Sequence, residues 1–404
     1  MTASFARRLD GMKASEIREL LKITQRPEVI SFAGGLPAPE LFPIEDLKAV
    51  MAEVLDREGP RTLQYSTTEG HPGLREAIAR RLNSRLGTAF EASGILITSG
   101  SQQGLDLTGR VFLDDGDEVL CESPTYLGAI NAFRAYRPRF VEVPTDDDGM
   151  VQAELERCIA GCRSPKLVYV VPNFQNPSGR TWSLERRRAL LDAAARHGLV
   201  VIEDDPYGQL CYEGTTPPAL ASLGGTAPVV YLGTFSKIFC PGMRVGWLAA
   251  PREIYGKYTL VKQGADLHTS TLAQCQILAY LERFDLDASI ARICEVYRRR
   301  RDAMLSAIES EFPPGVSWTT PRGGLFLWAT LPKGVSAREL LVRALERNVA
   351  FVPGGSFFPN GGHENTLRLN FSNMPEERIA EGIRRLGRVL HELCAAPAGK
   401  TGPA

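Results

Sequence analysis

Residues 233–244 read GTFSKIFCPGMR and follow the apolar run Val229–Leu232. Lys237 therefore stands just past a strand-like segment, with Thr234 and Ser236 before it and Arg244 seven residues after. An isolated lysine is ordinarily a solvated surface residue, because burying its charge is costly. Two hydroxyls at alternate positions of an extended segment, joined by a guanidinium past a Pro-Gly turn, make a clamp suited to a phosphate. A lysine held beside such a clamp can form an imine with an aldehyde.

Other strand-like runs end in residues of the same kind. After Ile95–Thr98 comes Ser99-Gly100-Ser101-Gln102, opening a helix. Its free N–H groups and dipole suit a phosphate, although Ser-Gly-Ser is also an ordinary helix cap. Tyr126 follows the run ending in Ser123 and could stack on a planar ligand, or simply fill core. Asn176, in NFQNPSG, is a neutral donor in what is otherwise a plain Asn-Pro turn. Asp204 ends the buried-looking run Leu199–Glu203 and must find a partner or change its pKa. Tyr207 follows three residues later with a phenol. Taken together, these residues describe one ligand, pyridoxal 5′-phosphate. That ligand needs an acid at its ring nitrogen, hydrogen bonds at its ring oxygen, a phosphate anchor and an amine.

The elements that must position these residues alternate. Short apolar runs at 95–98, 118–120, 139–143, 166–171, 199–203 and 229–232 are separated by helical stretches such as 101–113 and 184–198. Strands apolar on both faces with helices between them predict a mostly parallel sheet covered on both sides. In such sheets ligands bind at the carboxyl ends of the strands, where the residues above lie. A helix is expected over about 284–311, with its run VYRRRRDAML read as a solvated face. From about 316 strands and helices alternate in a smaller α+β unit, and the Gly- and Pro-rich stretch 26–43 reads as an extended loop.

The 404 residues favour two domains. Lys plus Arg and Asp plus Glu number 47 each, which gives no reason to expect a nucleic-acid or anionic-membrane partner. No apolar run reaches the ~18 residues of a membrane span. The start MTASFARRLDGMK lacks the apolar core of a secretory signal, and the eight cysteines are scattered without a metal-ligand spacing. A cytoplasmic protein without a metal is the expectation.

The chain resembles the class I/II aminotransferases of fold type I, and within them the 2-aminoadipate and kynurenine/aminoadipate branch. The motifs SEIRELLKITQRPEVISFAGGLPAPELFP, LQYSTTEG, ITSGSQQGLDL, FQNPSG, EDDPYG, GTFSKIFCPGMRVGW, KQGADLHTS, VAFVPGGSFF and ENTLRLNFS carry the resemblance from about Ser15 to Leu390. It implies an α/β fold with a mostly parallel central sheet in a large domain plus a small α+β domain. The divisions implied are 1–47, packing with the small domain, then 48–290, the large cofactor domain, and 291–404, the small domain.

The resemblance also assigns roles. Lys237 would bind the cofactor aldehyde and shuttle the proton, Asp204 would pair with the ring nitrogen, and Asn176 and Tyr207 would hold the ring oxygen. Tyr126 would stack on the ring. Gly100, Ser101, Gln102, Thr234, Ser236 and Arg244 would hold the phosphate. Tyr65 would reach the phosphate of a second subunit, implying a homodimer with shared sites. Arg368 would take the substrate α-carboxylate, and Asn176 and Gly35 would also face the substrate. Arg18, on a helix that Ser15 could cap, would read an acidic side chain; on pattern alone it is a solvent-facing arginine.

The implied reaction is a ping-pong transfer of an amino group from an L-amino acid to a 2-oxo acid such as 2-oxoglutarate. The donors favoured are 2-aminoadipate and glutamate, with aromatic or branched-chain donors also in view. The same residues would serve a β-lyase, a decarboxylase or a pyridoxal-phosphate oxidase, because the cofactor supplies the carbanion chemistry. An aminotransferase-like effector-binding module of a transcription regulator ranks lower, since the SEIRELL helix begins near residue 15 and leaves no room for a winged-helix domain before it.

Overall fold

The structure, a computed structural model, describes residues 4–9 and 26–395. Its main sheet has eight strands: β2 (Ile95–Thr98), β3 (Glu118–Ser123), β4 (Arg139–Asp146), β5 (Gly149–Met150), β6 (Pro165–Val170), β7 (Val200–Asp204), β8 (Val229–Thr234) and β9 (Gly246–Ala249). Their order is β2-β9-β8-β7-β6-β3-β4-β5. The five central strands β8, β7, β6, β3 and β4 run parallel. β3, β6, β7 and β8 are buried over most of their length, as strands covered on both faces are, whereas β4 is largely half-exposed. The helix Leu184–His197 shows why the intervening segments are helical. Ser183 Oγ caps it by accepting from Arg186 N at 3.3 Å, and Gly198 ends it in the left-handed region at φ 64°.

β9 has no counterpart among the apolar runs expected as strands from the sequence. It lies between β2 and β8, antiparallel to both. Its four residues are buried and follow directly on the Lys237–Arg244 loop, so they read as a continuation of that motif.

A second sheet has the order β10-β11-β14-β13 and is antiparallel throughout, with β10 at Ser317–Trp318, β11 at Phe326–Thr330, β13 at Val352–Pro353 and β14 at Thr366–Asn370. The stretch 26–43 is more than a loop. Within it β1 (Ile30–Ser31) pairs in parallel with β12 (Val349–Ala350). The helix Leu286–Glu311 packs on Glu376–Ala395 and runs through residue 290 unbroken.

That long helix corrects one expectation. Arg298 and Arg299 are half exposed, but Arg300 and Arg301 are each only 4% exposed. Tyr297, Arg300, Arg301, Met304 and Ile308 recur at helical spacing and form the buried stripe. Arg300 donates to the Ser372 carbonyl at 2.6 Å and pairs with Glu40, while Arg301 donates to the Pro321 carbonyl at 2.8 Å and pairs with Glu213. The run of four arginines is therefore two surface charges and two buried clamps.

Candidate active site

A cavity of about 230 Å³ opens at the carboxyl ends of β7 and β8, facing the first residue of β11 and the middle of β14. Of the residues singled out in the sequence, Gly35, Ser101, Gln102, Tyr126, Asn176, Asp204, Tyr207, Thr234, Ser236, Lys237, Arg244 and Arg368 all line it.

One end is a cradle. The helix Ser101–Phe112 begins there, and the N–H groups of Ser101 and Gln102 have no partner among the described residues. Gly100 precedes them at φ 78°, a conformation that suits glycine. A Cβ on Gly100 would lie 2.5 Å from Arg244 Nη2, so the glycine also lets the guanidinium approach the turn. Arg244 is itself left-handed at φ 52° and donates to the Ser99 carbonyl at 3.3 Å. Thr234 Oγ1 donates to Ser236 Oγ at 2.9 Å and accepts from Ser236 N at 3.1 Å. Two hydroxyls, two free N–H groups, a helix N-terminus and a guanidinium thus converge on one corner.

The other end carries the charged groups. Asp204 Oδ2 accepts from Tyr169 Oη at 2.8 Å, while the buried Oδ1 has no partner. Burial pushes its carboxyl up to about 7; the Tyr169 hydrogen bond opposes that rise and the charge of Asp205 adds to it. Asn176 Nδ2 lies 3.5 Å from Tyr207 Oη, and burial raises the Tyr207 phenol well above its ordinary value. Tyr126 stands just before the helix Leu127–Arg134, and a Cβ on Gly128 would lie 2.4 Å from its Cζ.

Lys237 lies between these ends. Its Nζ donates to the Gly35 carbonyl at 2.9 Å. Burial first, then the charges of Arg368 and Arg244, lower its pKa to about 8.

Arg368 is only 1% exposed and has no carboxylate partner among the described residues. It donates to Asn176 Oδ1 at 2.8 Å and to the Ala33 carbonyl at 2.5 Å, and its Nε is unpartnered. The guanidinium lies 4.2 Å from the centroid of Phe326 and 5.0 Å from that of Phe357. A buried cation satisfied only by neutral oxygens and aromatic faces is poised for an anion. Burial lowers its pKa to about 10, which leaves it charged at neutral pH.

Three residues stand apart. Gly100 shapes the cavity without lining it. Tyr65 is 79% exposed, outside the cavity, with its ring edge-on to His268. Arg18 lies outside the described residues. Conversely, Phe326 lines the cavity although its sequence context gives no sign of it. It stacks edge-on to Tyr207 at 5.9 Å, faces Arg368 and stands over Gly35, where a Cβ would lie 2.9 Å from its Cζ. It stands in the apolar run LFLWATL, where nothing local separates it from core.

The pattern named "Aminotransferase class I and II" matches residues 36–386. The chain belongs to this family. The aminotransferase is 47% identical over 395 residues to the 2-aminoadipate transaminase of Thermus thermophilus, covering 97% of this chain and 98% of that one. It is 45% identical to the aromatic-amino-acid aminotransferase 1 of Thermococcus litoralis, over 96% of this chain and 94% of the relative. Among solved structures, the kynurenine aminotransferase of Pyrococcus horikoshii aligns with a TM-score of 0.93 at 43% identity, covering 97% of this chain and 98% of that one. The aminotransferase thus has the fold type I architecture expected from the sequence.

Proposed function

We propose that this aminotransferase carries pyridoxal 5′-phosphate at Lys237 and moves the amino group of an L-amino acid to a 2-oxo acid in two half-reactions. One observation carries the reading. A lysine amine whose pKa is lowered to about 8 shares a cavity with a buried carboxylate oxygen, Asp204 Oδ1, that has no partner. A protonated pyridine nitrogen would satisfy that oxygen, and the cradle of N–H groups, hydroxyls and guanidinium suits a phosphate. Relatives support it: the Pyrococcus horikoshii structure contains the aminated form of the cofactor.

When bound, the cofactor supplies an aldehyde for the amine and a protonated ring that accepts the electrons released as the α-proton leaves. The chain's residues do the rest. Asp204 would hold the ring nitrogen protonated, and such a cation would keep Asp204 ionised despite its burial. Asn176 and Tyr207 would donate to the ring oxygen, and Tyr126 would cover the ring face. Ser101, Gln102, Thr234, Ser236 and Arg244 hold the phosphate. Arg368 takes the substrate α-carboxylate, its approach to Asn176 keeping carboxylate and ring in register. Lys237 Nζ, with its lowered pKa, would take up the proton from the substrate α-carbon and hold it within the cavity.

The donors proposed are 2-aminoadipate and glutamate, with aromatic or branched-chain amino acids also in view and 2-oxoglutarate as acceptor; relatives named for 2-aminoadipate and for aromatic amino acids support the first and third of these. Arg18 is the residue proposed to read an acidic side chain; Arg18→Ala should weaken acidic donors more than aliphatic ones, and equal losses would count against it. The same reading includes the division at residues 47 and 290, a cytoplasmic location and a homodimer with shared sites. The exposed Tyr65 supports the dimer, as do Leu63 and Leu267, each more than half exposed. Among the described residues no helix is long and apolar enough to cross a membrane.

The test is a half-reaction scan. Purified yellow protein is mixed with glutamate, 2-aminoadipate, leucine, phenylalanine, tryptophan or kynurenine, without oxo acid. Conversion to the aminated cofactor with stoichiometric 2-oxo acid is expected, fastest with acidic donors. Release of ammonia, carbon dioxide or peroxide instead would refute amine transfer.

A further inference from the structure

We propose that Lys262 and Asp266 are positioning residues for the cofactor phosphate, gripping the turn that begins at Ser99 from behind. The proposal rests on reading the cavity as a pyridoxal-phosphate site. Lys262 lies on the helix Arg252–Asp266 and is 0% exposed. Its Nζ donates to Asp266 Oδ1 at 2.7 Å and Oδ2 at 3.0 Å, to Gln103 Oε1 at 2.9 Å and to Thr269 Oγ1 at 3.2 Å. Asp266 Oδ2 accepts from Ser99 Oγ at 2.9 Å. Gln103 Oε1, already holding Lys262, also accepts from Ser99 N at 2.8 Å.

Every polar group of Ser99 is therefore fixed. Its N–H is held by Gln103, its hydroxyl by Asp266, and its carbonyl by Arg244 at 3.3 Å. Ser99 is the residue before Gly100, whose φ of 78° turns the chain so that the free N–H groups of Ser101 and Gln102 meet the cavity. Neither Lys262 nor Asp266 lines the cavity, so they act through the turn and not by contact with a ligand. The pair is close to neutral as a unit, which rules out a long-range pull on the phosphate as its main effect.

Burying such a pair is an unusual way to gain stability, because well-packed apolar residues serve as well or better. What apolar residues cannot do is hold the Ser99 hydroxyl directly and its N–H through Gln103. Burial lowers the Lys262 pKa while Asp266 opposes it. Burial also pushes the Asp266 carboxyl up, but the hydrogen bonds from Lys262, Gln103 and Ser99 outweigh it and bring it below its ordinary value.

The test separates phosphate from ring. Cofactor-free wild type, K262M and S99A are titrated spectroscopically with pyridoxal 5′-phosphate and, separately, with pyridoxal, which has the same ring and aldehyde but no phosphate. For K262M the Kd for pyridoxal phosphate should rise about tenfold or more, and that for pyridoxal by less than about twofold. S99A leaves the pair intact and removes one link; its phosphate-selective loss should be smaller, about threefold. Should K262M not fold, S99A carries the test alone. Equal weakening toward both probes, or no weakening toward pyridoxal phosphate, overturns the positioning role. If wild type binds pyridoxal phosphate no more tightly than pyridoxal, the cradle itself is misread, an outcome seen before any variant is compared.

Discussion

Replacing Asp204 with Asn should make the cofactor-free protein more stable and the enzyme nearly inactive. Asp204 is buried, and its carboxyl is raised from 3.8 to about 7. At about 1.4 kcal/mol per tenfold in proton affinity, ionising it in the folded state costs ~4 kcal/mol. Asn removes that cost and keeps an oxygen for the Tyr169 hydroxyl. Its amide faces the cavity, where an imperfect partner returns ~1 kcal/mol, leaving a gain of ~3 kcal/mol. For 404 residues the unfolding entropy is ~850 cal/mol/K, so the apparent melting midpoint should rise by ~4 °C. The sign depends on pH. A carboxyl whose folded pKa lies above its unfolded one carries no penalty below the unfolded value. The penalty then grows as pH climbs from about 4 to about 7 and is constant above. The gain should therefore be full at pH 8 and absent near pH 4. Amine transfer by the same variant should fall about 10²- to 10³-fold, the consequence of removing one member of a buried charge pair. Calorimetry of the cofactor-free proteins at both pH values is the assay. A variant no more stable than wild type at pH 8, or equally stabilised at pH 4, would refute the account of Asp204 as a carboxylate awaiting a cation.

Lys237→Ala should cut amine transfer by at least about 10³-fold while the protein still binds pyridoxal phosphate noncovalently, as rapid-quench and dialysis measurements can check. Arg368→Gln should lower kcat/KM for amino acids by about 10- to 100-fold and leave reaction with simple amines, which lack a carboxylate, unchanged. A Cβ at Gly100 would crowd Arg244 at 2.5 Å and force a side chain into a left-handed conformation. Gly100→Ala should accordingly weaken cofactor binding about tenfold, read by spectral titration. Capture of pyridoxal phosphate by the cofactor-free protein should accelerate between pH 7 and pH 9, as Lys237, with its pKa near 8, loses its proton; a flat profile would speak against a buried amine.

The polar ends of strands made the site legible in the sequence. Asp204 and Thr234 each end an apolar run with a group that needs a partner, Asn176 stands in the turn after another, and the fold gathers them at one cavity. The alternating texture likewise announced the central parallel strands. What stayed hidden depends on which way a side chain faces or on who its distant neighbour is. Arg300 and Arg301 look like solvated charges until the helical spacing with Tyr297 and Met304 is counted. Phe326 is an unremarked strand residue until β14 brings Arg368 to its face. β9, no shorter than β2, follows directly on the Lys237–Arg244 loop and reads as its continuation.

That short antiparallel strand has a consequence for how the protein becomes able to bind. Gly246 of β9 pairs with Thr98 on one side and Thr234 on the other. Those two residues lead directly into the two halves of the phosphate cradle, which are more than a hundred residues apart in the chain. A Cβ on Gly246 would lie 2.8 Å from both the Gly100 carbonyl carbon and the Ser101 nitrogen, so the halves close on each other across a glycine. The cradle is thus a seam, sewn only when β9 slides between strands that bracket it. Such non-local pairings come late in folding, since they wait on long loops being closed. Cofactor capture should be among the last abilities the chain acquires on folding, and among the first it loses when that edge of the sheet loosens.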